Sequence, residues 1–204
     1  MIILGVDTSL ALLSVALLRD ESLIGAVALE GKGSRNEKLL PAIDWLLTES
    51  NIDRRSIELF AVTRGPGSFT GVRIGLATVQ GLALALGRPL CAMSTHEAIA
   101  FAAPSAAVVD DAGRGEFFVS IYDEGREVVA PRLASSIERD ELAKSSSRVI
   151  NVAEFVQRRN VATNCARRAL EIARSNALDR YSDITPIYVR LAEAEVKLQQ
   201  KQNG

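Results

Sequence analysis

Short apolar segments separated by polar turns open the chain, and this pattern predicts a small sheet. The segments cover residues 2–6, 12–18 and 23–29. Asp7-Thr8-Ser9 and Asp20-Glu21-Ser22 separate them, and both sequences are typical of turns. Because strands joined by such short turns pair with their neighbours, we expect an antiparallel meander of three strands.

A helix is predicted to follow the meander, from Ser34 to about residue 50. Ser34 and Glu37 form a capping-box pattern, and apolar residues then recur at helical spacing. Pro41 lies within this stretch and is expected to kink the helix. The residues of the apolar stripe are Leu39, Leu40, Ile43, Leu46 and Leu47.

Trp45, the only tryptophan, lies outside this stripe. At about 100° per residue it falls on another face of the helix, together with Lys38, Ala42 and Glu49. A tryptophan turned away from its own core is a common anchor for a protein partner. The alternative is that Trp45 folds over the neighbouring strands.

A glycine-rich loop and a second helix come next. A strand over residues 59–63 leads into the loop 64–69, and a helix is predicted over 70–86, closed by Gly87. This helix is apolar all round, so it is either buried in its own lobe or covered by a partner. Small residues recur in it at three- and four-residue spacing, which suits the close approach of another backbone. They are Gly71, Gly75, Ala77, Gly81 and Ala85.

The order of elements in the first half is repeated in the second. A strand over residues 90–93 and a helix over 95–103 end the first half. Three strand-like segments then echo the opening meander at an offset of roughly 100 positions. The strands cover 106–109, 116–122 and 126–131, and helices follow over 138–144 and 162–175.

This repetition predicts two lobes. The N-terminal lobe is expected over residues 1–103, with the glycine-rich loop and both long helices. The C-terminal lobe is expected over residues 104–204, shorter than the first, with a last segment that can pack back on the N-terminal lobe.

Composition excludes several kinds of site. The 204 residues include 24 Lys+Arg and 25 Asp+Glu, so net charge provides no overall attraction to nucleic acid. A single histidine, His96, excludes a His-rich metal site, and Cys91 and Cys165 form no CxxC pair. We expect a cytoplasmic protein, because no signal-peptide pattern is present and the apolar stretch 74–86 is shorter than the ~20 residues of a membrane span.

Two segments have the residue types of a phosphate site. Asp7-Thr8-Ser9 at a strand end can present backbone N–H groups and a metal-orienting carboxylate, the alternative being an ordinary hairpin turn. The loop from Gly65 to Gly71 precedes a helix N-terminus, which suits an anion, and Arg73 can add a charge-assisted bond. The lysine of a P-loop is missing, and the alternative here is a structural connection between strand and helix.

Two further groups of residues favour structural interpretations. His96 stands between Thr95 and Glu97 at a predicted helix start, where a surface histidine is expected rather than a catalytic base. The one basic cluster is expected to be a solvated helix face, with RNA contact as the alternative. Its members are Arg158, Arg159, Arg167 and Arg168.

The glycine-rich loop and its helix resemble the signature of a known family. The stretch 65–77, Gly-Pro-Gly-Ser-Phe-Thr-Gly-Val-Arg-Ile-Gly-Leu-Ala, is similar to that of TsaB, also called YeaZ. Shorter resemblances cover residues 3–9, 37–43, 111–116 and 186–190, in the family's order and over nearly the whole chain. Arg35 stands where many members have His, and Gly113 stands where many have Arg.

The resemblance implies a fold and a role. The fold is α/β, with two ribonuclease-H-like lobes of the actin-like ATPase superfamily, which also contains sugar kinases and chaperone ATPases. The role is to pair with the paralogue TsaD, which works with the ATPase TsaE in tRNA threonylcarbamoyladenosine modification. That complex transfers a threonylcarbamoyl group to the adenosine 3′ of the anticodon. TsaD holds the metal through a His-x-x-x-His helix that this chain lacks, so we expect a non-catalytic subunit without a metal.

Site residues follow from the signature and from the two helices that the family uses for pairing. The nucleotide or phosphate-loop candidates are Asp7, Thr8, Ser9, Gly65, Gly67, Ser68, Thr70, Asp111 and Arg114. The expected partner interface consists of Arg35, Lys38, Ala42, Trp45, Glu49, Arg73, Gly75 and Thr78. We expect no tightly bound cofactor, with ATP or ADP and Mg²⁺ at the seam with the partner left open. Further expectations are a homodimer when alone, contact with tRNA mainly through partners, and no membrane association.

Two alternatives stay open. An independent ATPase or small-molecule kinase of the same superfamily would use Asp7 and Asp111 to hold Mg²⁺ and phosphate. A peptidase is less favoured, because a single histidine without a ligand cluster supplies neither a metal site nor an activated nucleophile.

Overall fold

The fold is described from a computed structural model of residues 1–30, 35–103, 105–144 and 146–189. The side chains of Arg35 and Asn36 lie outside the described residues, as do Ser34 of the predicted capping box and Arg190 of the last resembling stretch.

A five-stranded sheet forms the first lobe. Its order is β3-β2-β1-β4-β5, in which β1, β2 and β3 are antiparallel neighbours and β1, β4 and β5 run parallel. The predicted meander and the two later strands are therefore confirmed. The strands are β1 Ile2–Asp7, β2 Leu12–Arg19, β3 Ser22–Glu30, β4 Leu59–Thr63 and β5 Leu90–Met93.

A four-stranded sheet repeats this arrangement in the second half. Its order is β8-β7-β6-β9, with β6, β7 and β8 antiparallel and β9 parallel to β6. The predicted repetition of the meander is thus present in the structure, whereas β9 was missed because three residues are too few for a period to show. The strands are β6 Ala106–Gly113, β7 Glu116–Asp123, β8 Arg126–Ser135 and β9 Val149–Asn151.

Helices cover both faces of the first sheet. The helices are α1 Arg35–Glu49, α2 Phe69–Leu86, α3 Thr95–Ala100, α4 Ser136–Lys144, α5 Val152–Arg158 and α6 Val161–Arg174. Ser68 caps the start of α2 by accepting a bond from the Gly71 N–H. The helix ends at Gly87, as predicted, and this glycine is in the left-handed conformation. Two short 3-10 turns, Arg54–Ser56 and Leu178–Tyr181, complete the described elements.

Two apolar cores lie on opposite faces of the first sheet. One core joins α1 and α2 to side chains such as Leu4, Val6 and Phe60. The other joins α3 and α6 to Ile3 and Ala61 and continues into the second sheet. Helix α6 thus follows the second sheet in sequence but packs on the first.

The approach of α6 to β1 is close enough to require glycine. A Cβ on Gly5 would run into the backbone carbonyl of Ala162, and it would lie 2.9 Å from the Cβ of Ala166. Real Cβ atoms essentially never come so near a neighbouring atom. The small residues of both elements therefore set the separation between helix and sheet.

Helix α2 is long and apolar enough to cross a membrane by length and composition, and it is the one such helix among the described residues. The core helix of a soluble protein passes the same test. Six residues of α2 are buried within the protein, including Val72, Leu76 and Val79. Ala77, Leu84 and Ala85 of this helix are exposed, whereas Ile74, Leu82 and Leu86 are partly buried against the core.

Candidate functional site

The turn between β1 and β2 packs directly against the glycine-rich loop and the start of α2. The Thr8 hydroxyl donates a hydrogen bond to the Gly71 carbonyl at 2.6 Å, and the Ser68 N–H donates to the Ser9 carbonyl at 2.7 Å. A Cβ on Gly67 or Gly71 would run into the backbone carbonyl of Ser9 or Thr8. The glycines of the signature are therefore required by contact between two loops of the protein itself.

Asp7 stabilises this turn through hydrogen bonds to its carboxylate. Its carboxylate is fully buried, and Oδ1 accepts bonds from the Thr63 hydroxyl at 2.5 Å and the Ser9 hydroxyl at 2.6 Å. The Ser9 N–H also donates to the same oxygen at 3.2 Å. Asp7 thus orders the loop and does not line the surface that a ligand would meet.

A cleft between the lobes lies beside these loops. It has a volume of about 520 Å³ and brings Ser9, Gly67 and Ser68 opposite Asp110 and Asp111 of β6. Burial raises the pKa of Asp110 to about 6. None of the described residues that line the cleft is a lysine or arginine. Two carboxylates without a lining cation oppose the binding of a free phosphate group.

The phosphate-loop candidates are only partly brought together. Ser9, Gly67, Ser68 and Asp111 line the cleft, whereas Asp7, Thr8 and Gly65 are buried behind its wall. Thr70 and Arg114 are exposed and lie outside the lining. Asp110, which was not among the predicted site residues, also lines the cleft, and its pKa is raised by burial.

Residues 182–189, here called the closing segment, run along the glycine-rich loop. The Ile187 N–H donates to the Arg64 carbonyl at 2.7 Å, and Arg64 binds Asp183 at 3.2 Å. A Cβ on Gly65 would lie 2.8 Å from the Ile187 carbonyl. The resembling stretch that begins at Pro186 is therefore part of the same loop assembly, on the N-terminal lobe.

Arg73 is used to hold the closing segment. Its guanidinium carbon lies 3.8 Å from the centre of the Phe69 ring, and its Nε donates to the Tyr188 hydroxyl at 2.6 Å. The Phe69 and Tyr188 rings stack with their centres 4.7 Å apart. Arg73 is thus committed to a cation–π contact rather than directed at an anion in the cleft.

A buried polar seam joins the two lobes at Ser94-Thr95-His96. Ser94 bonds the Tyr122 hydroxyl of the second lobe at 3.1 Å, and within the first lobe Thr95 bonds the Ser9 hydroxyl at 2.8 Å. His96 Nδ1 lies 2.8 Å from the Ser120 hydroxyl. The expectation of a surface histidine is wrong: His96 is fully buried, because α3 lies between the first sheet and β7. Burial lowers its pKa to about 3, so the ring is neutral.

The predicted cluster of four arginines is divided in the structure. Arg168 turns inward and binds Glu97 at 3.0 Å, and the Tyr181 hydroxyl donates to the same carboxylate at 2.7 Å. Arg158 and Arg159 lie instead at the end of α5. The four arginines were predicted to form one cluster because they are close in sequence, but the structure places them on different surfaces.

Helices α1 and α2 present an exposed apolar surface. Leu40, Trp45 and Leu84 are 51%, 54% and 73% exposed. An apolar groove of about 580 Å³ runs between the two helices, with Leu82 and Leu86 among its lining residues. The prediction that Trp45 points away from its own core is confirmed, whereas Leu84 was not singled out from the sequence. We refer to Leu40, Trp45, Leu82, Leu84 and Leu86 as the helix-pair face.

The structure corrects two of the expected interface residues. Ala42 lies on the buried side of α1 and faces the core. Gly75 is also buried, and a Cβ at this position would run into the Thr8 hydroxyl. Neither presents a side chain to a partner. Glu49 and Arg73 are exposed, and Lys38 and Thr78 are half-buried. The Arg35 side chain lies outside the described residues.

A family model and several curated proteins are similar to this chain in sequence. A family model described as "TsaD: tRNA N6-adenosine threonylcarbamoyltransferase" matches residues 32–153. The "tRNA threonylcarbamoyladenosine biosynthesis protein TsaB" of Bacillus subtilis is 32% identical over 126 residues, which are 60% of this chain and 55% of that protein. The protein of the same name in Escherichia coli is 40% identical over 93 residues, or 46% of this chain and 40% of that protein. The chain spans about half the length of the curated relatives it matches.

A solved structure shows the same fold. "YeaZ from Pseudomonas aeruginosa" aligns with a TM-score of 0.68 at 24% identity, over 92% of this chain and 99% of that chain. The two sheets with their repeated strand order therefore define a two-lobed protein with ribonuclease-H-like lobes, and the predicted fold class is confirmed. Within that class, the chain belongs to the TsaB/YeaZ family, which shares the TsaD family model.

Gly71→Ala is expected to lower the free energy of unfolding by about 2 kcal/mol or more, because the new methyl group meets the immobile Thr8 carbonyl. Gly81→Ala in the same helix is the matched control. Its Cβ meets nothing within 4 Å, so helix propensity should raise stability by up to about 1 kcal/mol. Chemical denaturation measures both changes. Equal effects of the two substitutions would contradict the loop-packing role.

His96 is expected to destabilise the fold in acid. Its pKa falls from 6.5 in the unfolded chain to about 3 in the folded one, so the unfolded chain binds more protons in this interval. Stability should fall as the pH drops below 6.5, with a slope approaching about 1.4 kcal/mol per pH unit. Asp110 has the opposite effect, because its raised pKa stabilises the folded protein as the pH falls from about 6 to 3.8. The stability of the unmodified protein should therefore be compared with that of His96→Asn, in which only the histidine contribution is removed. Parallel stability curves for the two proteins would contradict the assignment.

Proposed function

We propose that this chain is a non-catalytic subunit that pairs with a TsaD-type protein. In this role it supports transfer of a threonylcarbamoyl group to the adenosine 3′ of the tRNA anticodon. The observation that carries the proposal is the helix-pair face, on which large apolar side chains stay exposed in the isolated chain. The names of the relatives, which mention tRNA threonylcarbamoyladenosine biosynthesis, support the same role.

The helix-pair face has the chemistry of a protein interface. Trp45 and Leu84 are exposed on two helices that pack on each other, and an apolar groove lined by Leu40 and other residues runs between these helices. Exposed apolar side chains of this kind are typical of association surfaces. The exposed side of α2 continues the same surface without an acidic residue. A TsaD-type partner is proposed to cover it, and a second copy of this chain is proposed to do so when the partner is absent.

The cleft supports a non-catalytic role. Asp7 Oδ1, the Thr8 hydroxyl and the Ser68 N–H, which are candidates to serve a nucleotide, are bonded within the protein. Asp110 and Asp111 would repel a free phosphate, so the described lining does not fit a nucleotide without further cations. We therefore propose that any ATP or ADP with Mg²⁺ binds at the seam with the partner. An independent ATPase or kinase is correspondingly less favoured.

The remaining partners follow from the same proposal. A TsaE-type ATPase would act on the assembled pair. The reaction would take place in the cytoplasm, where tRNA is available, and no membrane contact is needed because a partner covers the apolar side of α2.

The double substitution Trp45→Glu and Leu84→Glu is expected to weaken binding to the TsaD-type partner by about thirtyfold or more, since buried charges replace two apolar anchors. Isothermal titration calorimetry measures the affinity. Val128→Glu with Ile137→Glu is the matched control, because these side chains are 63% and 70% exposed but lie on the second lobe. The control should bind as the unmodified protein does.

The same proteins test the role in catalysis. The tRNA modification rate of the TsaD-type partner should rise when this chain is added and should not rise with the helix-pair variant. Sedimentation of the isolated chain should also shift from dimer to monomer in that variant. Unchanged partner affinity in the folded double variant would remove the interface assignment, and turnover of Mg-ATP by the isolated chain would favour the ATPase alternative.

A further inference from the structure

A polar groove beside the outer edge of the second sheet contains three exposed arginines. It has a volume of about 440 Å³ and runs between β9, the last strand of its sheet, and α5. Arg148 precedes β9, Arg158 ends α5, and Arg159 follows directly. Ala102 and Ala103 form part of its wall. We call Arg148, Arg158 and Arg159 the arginine groove.

The three guanidinium groups are not neutralised within the described part of the chain. None of them forms an ion pair or a side-chain hydrogen bond there, and Glu154 is the one acidic residue in the lining. Several other arginines are paired, as Arg174 is with Glu21 at 2.7 Å. A local positive charge therefore accumulates in a chain whose net charge is −1.

The arginine groove and the helix-pair face lie on opposite sides of the first sheet. Ile150 and Phe155, beside the groove, belong to the core that contains α3 and α6. The helix-pair face stands over the other core, with α1 and α2. A partner on the helix-pair face therefore leaves the groove open to a second molecule.

We infer that the arginine groove binds the phosphate backbone of tRNA while the TsaD-type partner occupies the helix-pair face. The inference rests on the proposed function, and it adds a direct tRNA contact where only contact through partners was expected. Arginine suits this task, because its planar guanidinium binds phosphate oxygens in a bidentate way and is always charged. Each phosphate that is neutralised also releases bound counterions, which favours association.

The groove geometry favours a backbone contact over a base-specific one. The guanidinium groups of Arg148, Arg158 and Arg159 are exposed at the surface, and no aromatic side chain except the buried Phe155 lines the groove for a base to stack on. The affinity should therefore depend strongly on salt and weakly on the tRNA sequence. An acidic segment of a protein partner would use the same charges, and the experiment separates this outcome.

The test measures tRNA binding by the complex of this chain with its TsaD-type partner at several salt concentrations. The triple variant Arg148→Ala, Arg158→Ala and Arg159→Ala should bind tRNA at least about tenfold more weakly at low salt. The negative slope of log affinity against log salt should become less steep, by about 2 to 3. Replacing the same residues by lysine should restore most of the slope, because the charge is kept.

A control variant removes the same charge elsewhere. Arg19, Arg55 and Arg126 are exposed and lie outside the groove, so their replacement by alanine should change the slope by less than 1. tRNA affinity and slope equal to those of the unmodified complex in the groove variant would overturn the inference. Loss of partner affinity with unchanged tRNA binding would also overturn it, since the groove would then be a protein contact.

Failure of the proposed function gives a different result. If the unmodified chain does not bind a TsaD-type protein at all, the pairing proposal is wrong, and the groove is tested with the isolated chain. If the pair forms and accelerates tRNA modification but the groove variant matches the control, only the further inference is wrong. The groove variant should keep the partner affinity of the unmodified chain, because its substitutions lie on the other side of the sheet.

Discussion

The contact between the β1–β2 turn and the start of α2 is the constraint on which the rest of the structure depends. Two backbone segments approach so closely that only glycine fits at positions 67 and 71, and the Thr8 hydroxyl and Ser68 N–H bond across the contact. This contact fixes where α2 lies on the sheet, and hence where its outer side faces. It also fixes the wall against which the closing segment packs through Arg64 and Ile187.

The same contact changes the chemistry of a loop that looks like a phosphate site. The Thr8 hydroxyl, the Ser68 N–H and Asp7 Oδ1 form hydrogen bonds within the protein, and Asp7 is buried beneath the turn. Asp7 Oδ1 accepts three hydrogen bonds, from the Thr63 hydroxyl and from the hydroxyl and N–H of Ser9, and these bonds order the turn. Asp110 and Asp111 across the cleft add negative charge where an anion would have to enter. The described lining of the cleft therefore combines the shape of a phosphate loop with negative charge.

Sequence patterns predict the features that depend on residues close together in the chain. They miss the features that depend on contacts between residues far apart in the chain. The meander, the end of α2 at Gly87 and the exposure of Trp45 follow from local periodicity and capping, and the structure confirms them. His96 has polar neighbours and therefore resembles a surface residue, yet it bonds Ser120 inside the seam between the lobes. Whether Gly75 faces a partner or Thr8 is likewise set by a contact between residues far apart in the chain. The candidate site was located from its motif, but its chemistry depends on tertiary contacts.

The second lobe has a function in this arrangement even though it is short. Its sheet continues the core on the face of the first sheet that α1 and α2 do not cover, and hydrogen bonds from Ser94 and His96 tie it there. Because β9 and α5 belong to this lobe, the arginine groove is held at a fixed distance and direction from the helix-pair face. Two proposed binding surfaces on opposite sides of one sheet would let the chain hold an RNA and a protein partner together without either displacing the other. Under the proposed function, this geometry would let the chain affect a reaction carried out by its partner.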